Sequence, residues 1–323
     1  MVEEVAKHIY RIGVPLPDNP LKELNSYFIR GRDRDLLIDT GFRCDACFRA
    51  LSAGLEELQS DPMRRNVLIT HFHSDHSGMA DLFAGPGLHI YMSRADTDYK
   101  MLGTTYQRQR ERHAAEGFPK DLLAYAFSAN PAKNMMLPGI TSAFRPLDDG
   151  DILEVGDYRL QTILVPGHTP GCCIFWLEEQ GILFTGDHVL FDITPNITFW
   201  PGEEDPLGDY LIGLERIRRL PVRLALPGHR KGGDFRTRVD ALLRHHAVRL
   251  NEAQEIVRRC PDLTAYEITG RMTWRIRSNT WEDFPAVQKI YAVGECLSHL
   301  DHLRLCGRIR RELTDGVYRY RTN

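Results

Sequence analysis

Nine residues constrain this chain more than any other stretch: Thr70-His71-Phe72-His73-Ser74-Asp75-His76-Ser77-Gly78. They follow Asn66-Val67-Leu68-Ile69-Thr70, a short apolar, β-branched run of the kind that forms a buried strand. Imidazole nitrogen and carboxylate oxygen are the ligand set of zinc and similar borderline metals. A polar turn with solvated imidazoles is the alternative. The rest of the chain has to decide between the two.

Three further turns bear on that choice, each after a strand-like run. Val165-Pro166-Gly167-His168-Thr169-Pro170-Gly171 sets one histidine between glycines and prolines. Leu183-Phe184-Thr185-Gly186-Asp187-His188 sets an aspartate just after a glycine, and Leu226-Pro227-Gly228-His229 ends in another histidine. Glycine permits tight turns and close backbone approach, which suits a site built at strand ends. Each turn alone is weak evidence. Together, in order after H-x-H-x-D-H, they point to a metal site.

The coarse pattern alternates strands and helices. His8–Ile12, Asn25–Ile29 and Leu36–Ile38 read as strands, the last two joined as a hairpin. Helical spacing runs from about 43 to 60 through Cys47, Leu51, Leu55 and Leu58, and a short helix is expected over Ser77–Phe83. Residues 94–140 read as a helical insertion, serving either as structural elaboration or as a pocket wall. From 144 to about 230 strands return, with a hairpin over Cys172–Thr185, a helix over Asp205–Leu220 and a last strand at Arg223–Leu226. Strand-rich halves with intervening helices argue for two packed sheets with helices outside them. Beyond 235 come helices at Arg236–Arg259 and Pro285–Leu305, a helix start at Thr264 with Glu267 at capping-box spacing, and a C-terminal hairpin. Three helices and a basic hairpin suggest a winged-helix-like domain over 236–323, after a catalytic domain over 1–235.

Charge and cysteine usage narrow the setting. The net charge of −3 gives no global field for nucleic acid or an anionic membrane. Residues 245–323 are locally basic, with 13 Lys and Arg against 10 Asp and Glu. No apolar run is long enough to span a bilayer, and residues 1–5 look unlike a secretory signal, so a cytoplasmic protein is expected. Seven scattered cysteines fit a reducing compartment. Cys44-x-x-Cys47 is the one pair at redox spacing, and Cys172-Cys173 read as buried strand positions.

The ordered set Asp39, His71, His73, Asp75, His76, His168, Asp187 and His229 resembles the metallo-β-lactamase superfamily, over roughly residues 5 to 232. The resemblance implies an α+β four-layer αβ/βα sandwich with its metals at one edge of the sheets. His71, His73 and His168 would hold a first metal; Asp75, His76 and His229 a second; Asp187 would bridge them. Asp75 and Asp187 would carry the catalytic charge. Asp39 would order the loops behind the ligands, and His188 would stand behind the bridging aspartate or line the pocket. A water shared by the metals would serve as the nucleophile. Two zinc ions are the expected cofactors, with iron or manganese compatible with the ligand set.

The fold alone does not choose the substrate. Gly186-Asp187-His188, then Asp192–Ile197 and the winged-helix-like tail, are similar to a group of hydrolases near glyoxalase II and the β-lactamase-like endoribonucleases. A small-molecule carboxylic ester, thioester or lactone is the favoured substrate. The rival is an endoribonuclease that binds RNA through its tail, but an acidic catalytic half suits phosphates poorly. A further rival is a mononuclear iron dioxygenase of the persulfide type. The tail could equally pack on the enzyme or form a homodimer. Tyr99, Tyr106, Asn196 and Trp200 are candidate pocket contacts.

Overall fold

The computed structural model describes residues 2–130, 134–274 and 280–323. Parts of the expected insertion (131–133) and of the C-terminal region (275–279) therefore lie outside the described residues. The chain packs as two compact units. The first comprises Met1–Leu102, Pro131–Pro195 and Glu215–Val239, and the second Gly103–Asn130, Asn196–Leu214 and Asp240–Asn323.

The first unit holds two mixed sheets. Seven strands lie side by side in sequence order: β1 (Val2–Ala6), β2 (Ile9–Pro15), β3 (Glu23–Ile29), β4 (Asp35–Ile38), β5 (Arg65–Leu68), β6 (Ile90–Ser93) and β7 (Phe144–Leu147). β1 to β4 are antiparallel neighbours, and β4 to β7 are parallel. The second sheet contains β8 (Ile152–Val155), β9 (Tyr158–Leu164), β10 (Cys173–Leu177), β11 (Ile182–Gly186) and β12 (Leu224–Pro227), in the order β12-β11-β10-β9-β8. Only β11 and β12 pair in parallel there. The hairpins expected over 25–38 and 172–185 both form, with Tyr27 opposite Ile38 and Trp176 opposite Leu183.

Side-chain alternation explains why these strands are apolar on both faces. Leu36, Ile38 and Leu68 join Phe175, Leu177, Ile182 and Phe184 in a core shared by the two sheets. Leu37 and Val67 point the other way, into a second core with Leu51, Leu55 and Phe83. That outer core is closed by α1 (Asp45–Glu57), whose buried residues include Cys47, Leu51 and Leu55, one helical face at a spacing of four. The helix expected over Ser77–Phe83 is instead two short pieces, α2 (Ser74–Ser77) and α3 (Ala80–Phe83). The break falls at Gly78, where a Cβ would lie 2.7 Å from Gly41 O and 2.8 Å from Arg43 N, so a backbone loop occupies the space of a side chain. Helix α4 (Arg94–Met101) follows β6.

The second unit is mainly helical. It contains α5 (Thr105–Ala115), α6 (Lys120–Ser128), α9 (Ala265–Thr269) and α10 (Ala286–Leu305), with the two-stranded β13 (Ile309–Thr314) and β14 (Val317–Thr322). Helices α7 (Pro206–Ile217) and α8 (Phe235–Arg259) have residues in both units. The capping box read at Thr264 and Glu267 is present. Glu116, fully buried, receives Arg112 at 2.7 Å, Arg311 at 3.2 Å and the Tyr320 hydroxyl at 3.0 Å. A buried carboxylate needs such partners to offset its lost hydration. The helices of the insertion are thereby fastened to the C-terminal segment. No helix among the described residues is long and apolar enough to cross a membrane.

Gly54 tests the contact between α1 and the first sheet. A Cβ there would stand 2.5 Å from Ile12 Cγ2, on a β-branched, fully buried side chain that cannot swing aside. Alanine favours a helix over glycine by about 1 kcal/mol, whereas overpacking a core costs about 1–3 kcal/mol. Gly54→Ala is expected to lower the urea midpoint of the protein, and an unchanged or raised midpoint would show that α1 does not pack this closely.

Candidate metal centre

Every sequence-predicted ligand, and Asp39 behind them, lies just past the C-terminal end of a strand in the first unit. Asp39 follows β4, the His71–His76 run follows β5, His168 follows β9, Asp187 follows β11 and His229 follows β12. Strands that run in one direction deliver their ends to one edge, so residues far apart in sequence meet there. Each of these turns but the His71–His76 run carries unusual backbone: Asp39 has φ 59°, Gly167 φ 127°, Gly186 φ 45° and Arg230 φ 63°. Asparagine and aspartate are among the few non-glycine residues that tolerate this left-handed region.

Three groups of candidate ligand atoms, each within 4.8 Å of one another, form among the described residues: His71, His73 and His168; His71, His76 and Asp187; and Asp75, His76 and His229. His71 Nε2 and His73 Nδ1 are 3.0 Å apart, and His76 Nε2 and His229 Nε2 are 3.2 Å apart. Nitrogens about 2.0 Å from one zinc in a tetrahedron are about 3.3 Å apart, so these spacings are those of a coordination sphere. Asp187 stands between the groups. Its Oδ2 is 3.6 Å from His168 Nε2 and 3.5 Å from His229 Nε2, and its Oδ1 is 3.5 Å from His76 Nε2.

The supporting hydrogen bonds leave the right ring nitrogens available. His76 Nδ1 donates to Asp39 Oδ2 at 2.7 Å, and His229 Nδ1 donates to Glu23 O at 2.8 Å. Each Nε2 is then the nitrogen that faces the site and would offer its lone pair to a metal. Asp39 also accepts the Thr70 N–H at 2.9 Å and the Thr70 hydroxyl at 2.8 Å, so it orders the turn that carries the ligands. Strand β3 holds the His229 turn: Asn25 Nδ2 donates to Pro227 O at 2.9 Å and to Arg230 O at 2.8 Å, and the Tyr27 hydroxyl donates to Pro227 O at 2.8 Å.

The electrostatics divide the site. Burial, aided by His76, His73 and His168, holds His71 well below the usual imidazole range. Burial and His168 push His73 down to about 3. Both are neutral donors of lone pairs. At the other end burial opposes charge on His76, yet Asp39, Asp187 and Asp75 outweigh it and raise that group well above its ordinary value. Burial would raise Asp75, but His76 and His229 hold it down to about 2. A field that draws positive charge onto buried imidazoles favours a divalent cation equally.

The residues fit a bound metal on two further observations. Asp187 Oδ1 is buried and engaged in no hydrogen bond, with His76 Nε2 3.5 Å away, a state that a bound cation would relieve. Gly228 leaves the space clear: a Cβ there would sit 2.7 Å from Asp187 Oδ1 and 2.8 Å from His76 Cε1. His188 is fully buried, and burial followed by His168 keeps it down to about 3. Its ring belongs to none of the three groups.

The remaining candidates are packed. Tyr99 is buried and stacks on Phe72 with ring centroids 5.9 Å apart. In the second unit the Tyr106 hydroxyl donates to Phe127 O at 2.6 Å, and Asn196 Nδ2 reaches Glu295 Oε2 at 3.3 Å. Trp200 is buried. The Cys44 and Cys47 thiols are 3.4 Å apart, and all seven cysteines are free.

Comparison with known proteins agrees with this geometry. Residues 22–229 match the Metallo-beta-lactamase superfamily, and residues 282–323 match the C-terminal domain described as Metallo-beta-lactamase-like. The chain is similar to the probable metallo-hydrolase YqjP of Bacillus subtilis, 26% identical over 91% of this chain and 92% of that protein. It is also similar to the acyl-coenzyme A thioesterase MBLAC2 of Gallus gallus, 26% identical over 64% of this chain and 72% of that one. The crystal structure of a metallo-beta-lactamase family protein from Thermus thermophilus superposes with a TM-score of 0.82. The two are 29% identical over 98% of this chain and 99% of that one.

Removal of single ligands tests the grouping. Purified protein reconstituted with zinc is expected to hold two equivalents by elemental analysis. His71→Ala and Asp187→Ala should each hold fewer while keeping a native far-UV circular dichroism spectrum. Two equivalents retained in both variants would contradict the assignment.

Proposed function

The chain belongs to the metallo-beta-lactamase superfamily and is a metal-dependent hydrolase; from that premise we propose that it hydrolyses acyl thioesters, using two divalent metals held by the two triads and shared through Asp187. The observation that carries the reading is the pairing of two complete triads, His71/His73/His168 and Asp75/His76/His229, on either side of one carboxylate. Zinc suits this donor set best, because imidazole supplies five of the seven ligands. When bound, such a metal pair supplies Lewis acidity and brings the pKa of a bound water close to neutrality.

The chain's own residues do the remaining work. His71 and His73 present neutral nitrogens at one side, with His168 beside them. Asp75 places a negative charge at the other side and Asp187 one between the two, where they would compensate part of a bound metal's charge and leave a net positive centre for an oxyanion. Asp39 holds the His76 ring through Nδ1, so Nε2 does not rotate away. Asp75 has 13% of its side chain exposed, against 7% for Asp187, which makes it the carboxylate nearest to solvent and to an incoming substrate. No serine or cysteine nucleophile is needed.

The thioester is favoured over other acyl bonds by the likeness to an acyl-coenzyme A thioesterase over 64% of the chain. A phosphodiester is disfavoured because a nucleic-acid groove needs basic neutralisation, whereas the surplus of basic residues lies in the tail. A panel of acyl-CoA thioesters, lactones and single-stranded RNA, each with zinc-loaded protein, tests the assignment. Thiol release from at least one acyl-CoA is expected, with a fall of about two orders of magnitude or more on chelation or in Asp187→Ala. RNA cleavage without thioester turnover would overturn it in favour of the nuclease reading. One bound iron with oxygen consumption would favour the dioxygenase.

A further inference from the structure

Asp39 ties down the turn of the second triad, and the first triad has a carboxylate of its own in a comparable place. Asp96 lies in the first turn of α4 and has no solvent exposure. Its Oδ2 accepts the Phe72 N–H at 2.9 Å and the Thr169 hydroxyl at 2.9 Å, and its Oδ1 accepts the Gly171 N–H at 2.6 Å. Phe72 is the residue between His71 and His73, and Thr169 is the residue after His168. One carboxylate therefore grips the backbone between two ligands of the first triad and the turn that carries the third. The aromatic ring of Tyr99, one turn further along α4, stacks on Phe72 and holds the same residue from its side chain.

The surroundings are built for this contact. Ser93 Oγ accepts the Asp96 N–H at 3.1 Å and fixes the start of the helix. A Cβ on Gly171 would lie 2.1 Å from Ser93 Oγ and 2.8 Å from Asp96 Oδ1, so the bond to the Gly171 amide exists only because that residue has no side chain. The Phe72, Thr169 and Gly171 donors together fix the orientation of this buried carboxylate.

We propose that Asp96 is a positioning residue for the first metal, clamping the His71/His73 turn to the His168 turn so that their three nitrogens converge before metal arrives. The assignment rests on the two-metal reading above. It gives each triad its own buried carboxylate: Asp39 acts through the His76 ring, and Asp96 acts through the Phe72 and Gly171 amides and the Thr169 hydroxyl. Loss of the clamp separates the two turns, and the metal held between them is released first.

Cobalt titration of the full chain, followed by visible d–d absorption and elemental analysis, tests this. In Asp96→Asn the side-chain NH2 must face either the Phe72 N–H or the Gly171 N–H, so at least one grip is lost. One of the two cobalt equivalents should bind about 10- to 100-fold more weakly, and the spectrum of the equivalent that remains should match that of His168→Ala rather than His229→Ala. A residue that merely supported the fold would lower thermal stability without selecting one site. Thr169→Val, which removes a single hydroxyl donor at constant shape, should weaken the same equivalent severalfold. It decides the matter if Asp96→Asn does not fold. Wild-type affinity for both equivalents in the variants, or a residual spectrum like that of His229→Ala, would overturn the proposal. Fewer than two equivalents in the unaltered protein would instead overturn the two-metal reading, and the comparison with His168→Ala would still judge Asp96.

Discussion

Asp187 reaches His76, His168 and His229 at once, and the rest of the first unit depends on that contact being tolerable. Five imidazoles and two carboxylates crowd into a volume that water barely enters. Without a bound cation these groups face one another in place of water: burial holds His71 and His73 neutral, while Asp39, Asp187 and Asp75 draw His76 toward its charged form against burial. A divalent cation would instead be held by the nitrogens and carboxylate oxygens that face it. The site is thus locally unfavourable for folding and favourable for binding, and its cost is borne by the two cores beneath it, where the strands are buried on both faces.

The strain of assembling the site is handled by backbone as much as by side chains. Asp39 adopts a left-handed conformation, and its carboxylate then reaches both Thr70 and His76. Glycine stands wherever two loops must approach within a side chain's width: Gly78 against the Asp39 loop, Gly171 against α4, Gly228 against Asp187. Strand β3 supplies a third anchor, for the His229 turn, through Asn25 and Tyr27. Ligand geometry is therefore a property of the contacts between turns, with each turn held by a residue from another strand or helix.

The second unit follows a different logic. Its buried Glu116 is neutralised by Arg112 and Arg311, and Asp301 pairs with Arg112 at 3.0 Å. Residues contributed by the insertion and by the tail share one ion cluster, which binds segments nearly 200 positions apart in sequence. Tyr106 and Asn196, which sequence reasoning offered as pocket contacts, are engaged in hydrogen bonds of that unit.

Much of the first unit was legible because its signals are local. Strands such as Leu36–Ile38 and Cys173–Leu177 are apolar runs, the α1 face repeats every four residues, and Thr264 with Glu267 spells its own cap. The candidate ligands stood out because histidine and aspartate recur in turns after strands, and the family resemblance supplied their grouping. The break at Gly78, the close contact of Gly54 with Ile12 and the strand β1 were not, since each depends on a partner that local pattern does not name. Asp96 is the clearest case: Ser93-x-x-Asp96 looks like any helix start, and nothing near it hints at Phe72 or Gly171. Chemistry carried by residue type and spacing was determined by the sequence alone. Which carboxylate restrains which turn was decided only in the tertiary structure, because a hydrogen bond across 24 or 75 residues leaves no periodicity in the chain.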